Sequence, residues 1–133
     1  MDFTTIHKRG NGRVAATGVS YGVRKVRDKR YVRLRFGVDV IADLKLKKGE
    51  PVVVSYAQEH GQHIIRVIVM EAGTPNCYAL SRSGNSQRCL HMRFPLEGTG
   101  LPVHEKPVPL RAHPDFADDP ARSFTGIIPA QAG

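Results

Sequence analysis

The clearest pattern in this chain is an alternation of apolar and charged residues in the stretch YVRLRF, residues 31–36. Every second residue is apolar, and the residues between are Tyr31, Arg33 and Arg35. Successive side chains of a strand point to opposite faces, so an alternating stretch is typical of a half-buried strand. The pattern predicts a strand with one face in a core and guanidinium groups on the other.

The residues after this strand change to a different period. Val38, Ile41 and Leu44 recur at helical spacing and predict a helix of at most two turns. Gly49 supplies the conformational freedom that a tight turn needs. The apolar run that follows predicts a further strand over Val52–Tyr56.

Residues 37–54, GVDVIADLKLKKGEPVVV, resemble the swapped-hairpin domain of AbrB-type transition-state regulators and antitoxins. That family has a strand, a helical turn, a Leu-Gly-Leu-Lys-x-Gly-Asp-x-Val-like segment and another strand. Gly37 stands where the family usually has Pro, and Lys45 where it usually has Gly. The resemblance implies a dimer of interleaved hairpins that binds DNA and regulates transcription. The residues at matching spacings are Leu44, Leu46, Lys47, Gly49, Glu50 and Val52.

Turn signals divide the rest of the chain into short strands, which favours a mainly β fold, α+β at most. We expect a small barrel or sandwich of β-hairpins with one short helix. The stretch His63–Val69 has apolar residues on both faces, which predicts a central strand or a dimer interface. Four hairpins are predicted, joining Thr4–Arg9 to Arg13–Val19, Val23–Val26 to Tyr31–Phe36, Val52–Tyr56 to His63–Val69, and Cys77–Leu80 to Gln87–Phe94.

The composition changes at about residue 100. Residues 1–100 are predicted to form a basic, β-rich domain. Residues 101–133 hold six of the nine prolines, which interrupt regular structure. We therefore expect this segment to be an extended arm or tail.

The net charge of +8 lies entirely in the first part of the chain. Residues 1–50 hold 13 Lys or Arg against 5 Asp or Glu, whereas the remaining residues are balanced. A localised positive field attracts polyanions, so nucleic acid is the expected partner, DNA before RNA. An anionic membrane or an acidic protein would fit the charge less well, and a basic face that only keeps the protein soluble is the simpler alternative.

The candidate nucleic-acid-binding residues concentrate on one predicted hairpin. Basic side chains at its tip would neutralise phosphates, and those on the regular strand would face a groove. Tyr21 and Tyr31 would stack on bases if exposed, or would be partly buried sheet residues. The full set is Arg24, Lys25, Arg27, Lys29, Arg30, Arg33, Arg35, Lys47 and Lys48.

Metal and catalytic chemistry have weak signals. Cys77, Cys89 and His91 are the candidate metal ligands, yet zinc sites usually present two close ligand pairs and here only the last two residues are close. Structural or incidental roles are the alternative, as is a disulfide between the two cysteines. No nucleophile motif, phosphate loop or catalytic acid pair is seen, so we expect neither an enzyme nor a cofactor.

These observations predict a small basic DNA-binding protein, a dimeric transcription regulator of AbrB-like type. One alternative is an assembly protein, a virion or other particle component whose C-terminal arm contacts neighbouring subunits. Another is a small inhibitor that binds a nucleoprotein complex. We expect a cytoplasmic protein, since the first residues lack an apolar signal segment. We also expect a homo-oligomer without membrane contact.

Overall fold

The computed structural model describes residues 17–83, 86–116 and 122–130. It confirms the predicted mainly β fold with one short helix, α1 (Val38–Leu44). A single 3-10 turn, Pro114–Phe116, is also seen in the described ranges. The strands are β1 (Val19–Val26), β2 (Lys29–Phe36), β3 (Pro51–Glu59), β4 (Gln62–Val69), β5 (Tyr78–Ala79), β6 (Ser81–Ser83), β7 (Ser86–Pro95), β8 (Val108–Pro109), β9 (Arg111–Ala112) and β10 (Ser123–Ile128).

The strands form two antiparallel five-stranded sheets. The first has the order β6-β7-β2-β1-β8 and the second the order β5-β3-β4-β10-β9. Inward side chains of both sheets, such as Leu34 and Met92 of the first and Ile65 of the second, belong to one hydrophobic core. This arrangement is a sandwich, one of the two forms predicted.

Strand β2 has the two faces that its alternating sequence predicts. Val32 and Leu34 have no exposed area, and Phe36 is 1% exposed. Arg33 and Arg35, between them, lie on the other face and are half-buried. Because β2 pairs with β1 on one side and β7 on the other, its outward residues lie in the middle of the sheet.

The second and third predicted hairpins are confirmed, with longer strands than expected. β1 and β2 join through a two-residue turn in which Arg27 has a φ of 58°. β3 and β4 join at His60 and Gly61, whose φ values of 50° and 77° are typical of a type I′ turn. The first predicted hairpin falls largely outside the described residues. β4 lies between β3 and β10, which confirms the central-strand alternative.

The fourth predicted hairpin has the wrong partner. Tyr78 and Ala79 of β5 pair with β3 in the second sheet, whereas β7 pairs with β6 in the first. The chain crosses between the sheets at Leu80, which is 2% exposed. A short apolar segment predicts a strand but not its pairing partner, because an edge strand of either sheet could accept it.

The predicted extended arm is also wrong for the described part of residues 101–133. β8 pairs with β1, while β9 and β10 extend the second sheet beyond β4. Ile127 and Ile128 are 7% and 3% exposed, and Tyr21 donates a hydrogen bond of 2.6 Å to the carbonyl of Pro102. Proline is compatible with an edge strand, because the amide it lacks would point to solvent there. The prolines were therefore misinterpreted as evidence against sheet structure.

An arginine fixes helix α1 to the second sheet. Arg122 donates from Nε to the carbonyl of Leu44 at 2.9 Å and from Nη2 to the carbonyl of Lys45 at 2.7 Å. It also donates to both carboxylate oxygens of Glu50 at 2.8 Å. Lys45 ends the helix with a φ of 52°, the left-handed conformation for which the AbrB-type pattern usually has Gly. Within the described ranges, no helix has the length and apolar content to cross a membrane.

The buried Phe36 provides a test of the assignment of faces on β2. Phe36→Ala should lower the free energy of unfolding by roughly 3 to 5 kcal/mol, because it leaves a cavity in the core. Urea denaturation measures the change. Val26→Ala is the control, since Val26 is 41% exposed on the same hairpin and its truncation should cost far less. Equal losses in the two variants would show that the faces are assigned incorrectly.

The contact between Arg122 and Glu50 predicts an acid dependence of stability. The hydrogen bond from Arg122 lowers the pKa of Glu50, against the opposing effect of burial. A carboxyl group whose pKa is lowered by folding stabilises the protein above its unfolded pKa, about 4.3 for Glu. That contribution is lost as the pH falls through the lower, folded pKa.

Urea denaturation at several pH values below 5 should therefore show a shallower loss of stability for Glu50→Gln than for the unaltered protein. Arg122→Gln is the matched variant, because it removes the same ion pair from the other side. If Glu50→Gln kept the full acid dependence, another group would be responsible for it.

Candidate nucleic-acid interface

The outer face of the first sheet brings four arginines together on three neighbouring strands. β1, β2 and β7 each contribute at least one of them, and a tyrosine and a histidine lie among them. We call this set the arginine face. Its members are Arg24, Tyr31, Arg33, Arg35, His91 and Arg93.

The register of the strands determines how these residues meet. Arg33 of β2 lies opposite Gly22 of β1 and Arg93 of β7. Arg35 lies opposite His91 of β7. Directly opposed residues have Cβ atoms about 5 Å apart, so side chains in one row are close neighbours. Strand pairing therefore concentrates positive charge that would otherwise be spread along the sequence.

One cavity of about 280 Å³ lies over β1 and the arginines of β2. Arg24, Arg33 and Arg35 contribute to its walls. Gly22 has no side chain to fill the space, and Pro107, from the segment that runs along β1, forms another wall. Glu105 also lines this cavity. The cavity is thus a positively charged recess with a single acidic group on its lining.

A second cavity, of about 260 Å³, shares Arg24 and Arg33 with the first. Its remaining walls are chemically different, because they include the Tyr31 ring and the His91 ring together with exposed Val26 and Arg93. The guanidinium carbon of Arg93 lies 5.5 Å from the centre of the Tyr31 ring. Cationic, aromatic and apolar surfaces thus meet in one recess.

The arginines and His91 raise the electrostatic free energy of one another. Burial lowers the pKa of His91, and the charges of Arg33, Arg93 and Arg35 lower it further. The pKa of Arg33 is also lowered, first by burial and then by Arg24 and the other two arginines. Like charges held close together disfavour the charged forms, and an anion placed among them reverses this effect.

Some buried polar atoms of the arginine face have no hydrogen-bond partner in the described part of the chain. They include Nε of Arg35 and Nδ1 of His91. Arg35 does donate from Nη2 to Sγ of Cys89, a weak contact of 3.7 Å. Buried polar groups usually have partners, so these two atoms are candidates for ligand contacts.

The structure assembles only some of the predicted binding residues. Arg24, Arg33 and Arg35 meet on the arginine face, as expected for one hairpin. Lys29 lies opposite Val26 at the hairpin tip. Lys25 and Arg30 pair across the same tip but lie on the face opposite the arginine face, and both are exposed. Lys47 and Lys48 are exposed in the turn after α1 and line neither cavity. Arg27 is exposed in the β1–β2 turn.

The contribution of β7 to the interface was not predicted from the sequence. Because the charge beyond residue 50 is balanced, Arg93 was not among the basic candidates predicted from the sequence, and His91 was predicted only as a metal ligand. A signal was present, because CLHMRF (residues 89–94) repeats the alternation of YVRLRF (residues 31–36). These two stretches pair antiparallel, so their outward polar residues share one face.

The two candidate stacking tyrosines have different environments. Tyr21 is fully buried in the core, and burial raises the pKa of its phenol. Tyr21 is therefore a core residue, and its ring is not available for a base to stack on. Tyr31 is half-buried on the arginine face and lines the second cavity.

The candidate metal ligands do not form a site. In the described ranges, no group of three or more His, Cys, Asp or Glu side chains is arranged to hold a metal ion. Cys77 and Cys89 are both free thiols, so the alternative of a disulfide is not seen. Cys89 is buried beneath Arg35, and Cys77 lies in a loop near Pro75.

The comparisons with known proteins give no family assignment. No family model, no curated protein and no solved structure matches this chain. The resemblance of residues 37–54 to AbrB-type domains stays a prediction, and function has to be inferred from the geometry of the arginine face.

The position of His91 among arginines predicts a response to inorganic phosphate. A phosphate ion in the second cavity would favour the protonated imidazole, so the titration midpoint of His91 should be higher in phosphate than in chloride. NMR titration of the histidine ring signals in phosphate and in chloride of equal ionic strength measures the difference. The same midpoint in both salts would mean that no anion enters this cavity.

Proposed function

We propose that this protein binds nucleic acid, DNA in the first place, through the arginine face. The observation that carries the proposal is the convergence of four guanidinium groups on two adjoining cavities. Guanidinium groups recognise phosphate oxygens with paired, charge-assisted hydrogen bonds. The two cavities share Arg24 and Arg33, an arrangement that suits a ligand with repeated negative charges.

The partial burial of Arg33 and Arg35 argues for a ligand over simple solubility. Exposed cations at the hairpin tip would be enough to keep the protein soluble, and salt screens their mutual repulsion. Arg33 and Arg35 are instead half-buried beside other cations, and burial together with the neighbouring arginines lowers the pKa of Arg33. Phosphates would offset this effect, and release of counterions from the nucleic acid would add to the affinity.

The alternative of an assembly protein is weaker, because one of its two supports was an extended arm. In the described part of residues 101–133, β8, β9 and β10 lie in this chain's own sheets. An inhibitor of a nucleoprotein complex would bind an acidic surface of its target. Nothing in the described residues favours such a target over a nucleic acid. Regulation of transcription follows only from the AbrB-type resemblance, and dimerisation follows from it now that His63–Val69 is accounted for as a central strand. Both stay predictions.

The proposal predicts that two arginines of β2 control both affinity and its salt dependence. Arg33→Gln with Arg35→Gln should weaken DNA binding, and the slope of log K against log salt should fall by roughly 0.9 for each phosphate that the variant no longer neutralises. Fluorescence anisotropy with labelled DNA at several salt concentrations measures both quantities. Circular dichroism should confirm that the variant is folded.

Lys47→Gln with Lys48→Gln is the matched control, because it removes the same charge from a turn that lines neither cavity. Its effect on the salt slope should be clearly smaller. A steeper loss with the lysine variant than with the arginine variant would move the interface to the turn after α1.

A further inference from the structure

The second cavity has features that the binding of phosphates does not explain. Phosphate recognition needs cations, yet this cavity is also lined by Tyr31, His91 and the apolar Val26. Val26 is 41% exposed although it is a large hydrophobic residue. Aromatic rings combined with arginines are the usual surface on which unpaired bases stack.

We infer that the protein prefers single-stranded nucleic acid, with one unpaired base held in the cavity lined by Tyr31, His91 and Arg93. This inference rests on the proposed function and specifies the ligand of the same face. The backbone phosphate next to that base lies at Arg24 and Arg33, which border both cavities. The following phosphate lies at Arg35 in the first cavity.

The lining of the cavity favours an unpaired base over a paired one. Tyr31 and His91 are half-buried and line a recess of about 260 Å³ within the sheet surface. A base in a duplex is stacked on both faces and presents only its edges in the grooves. Only a base that has left its stack can lay a face against the Tyr31 ring.

The size and chemistry of the recess also fit a base better than a larger ligand. Pockets for drug-sized molecules begin at about 300 Å³, slightly above this volume. Arg93 is exposed, and its guanidinium carbon lies 5.5 Å from the Tyr31 ring centre, a cation–π contact. A base that takes this position would replace one π-stacking partner with another, and Arg93 could then contact the phosphate backbone.

The first cavity gives the strand a direction across the sheet. It adjoins the second cavity through Arg24 and Arg33, and it contains no aromatic side chain. Glu105 on its lining would repel a phosphate placed near it, so the backbone should lie on the side of the arginines. The nucleic-acid strand would therefore run across the sheet from β7 and β2 toward β1.

The test compares the unaltered full chain with a labelled oligothymidylate and with the dA·dT duplex of the same length, by fluorescence anisotropy. We expect the single strand to bind about tenfold more tightly. Tyr31→Ala should weaken single-strand binding by about tenfold and leave duplex binding nearly unchanged. It should also leave the salt slope unchanged, because stacking releases no counterions, in contrast to the arginine variant.

Two control variants separate stacking from folding. Tyr31→Phe keeps the ring and should retain the affinity for the single strand. Tyr56→Ala removes a tyrosine that is 49% exposed on β3 in the second sheet, and it should have no effect. Tyrosine fluorescence is a further signal, because the chain has no tryptophan. Its quenching by oligothymidylate should be reduced in Tyr31→Ala and unchanged in its size in Tyr56→Ala.

The failures of the inference and of the proposed function give different results. Equal or tighter binding of the duplex, with no loss in Tyr31→Ala, would overturn the preference for a single strand and leave nucleic-acid binding intact. Absence of binding to both ligands at low salt would overturn the proposed function and this inference with it.

Discussion

The structure depends on the pairing of β2 with a strand on each side. Its apolar residues Val32, Leu34 and Phe36 face the core, where they are almost completely buried. A strand cannot turn one face inward without turning the other outward, so Arg33 and Arg35 are held on the opposite surface. The hydrophobic free energy that stabilises the sandwich also holds these charges in place, close to those of the neighbouring strands.

The arginine face follows from this constraint together with the strand order. β7 enters the first sheet beside β2 and places Arg93 and His91 in register with Arg33 and Arg35. Gly22 on the other side leaves a recess instead of a side chain. Burial and the neighbouring positive charges lower the pKa of Arg33 and of His91, and an anionic ligand would offset this effect. Folding thus prepares a surface whose electrostatics favour polyanions.

Local patterns predicted the elements of this fold better than their partners. The alternation in residues 31–36 predicted both faces of β2, and the spacing of Val38, Ile41 and Leu44 predicted α1. Long-range pairing was not visible, because the strands near Tyr78 and Ser123 are short and neither carries a register signal. The prolines after residue 100 were compatible with edge strands, and their sequence did not distinguish an edge from an arm. Arg93 was not among the candidates, because its place on the arginine face comes from pairing with Arg33, 60 positions away in the sequence.

The most direct test of the arginine face as the interface is NMR mapping of backbone amides during titration with a short oligonucleotide. If the ligand binds there, the largest chemical-shift changes occur in β1, β2 and β7, at Arg24, Arg33 and Arg93 and their neighbours. Only small changes are then expected in β3, β4 and β10 of the opposite sheet. Changes confined to the second sheet, or to the turn at Lys47 and Lys48, would contradict this assignment.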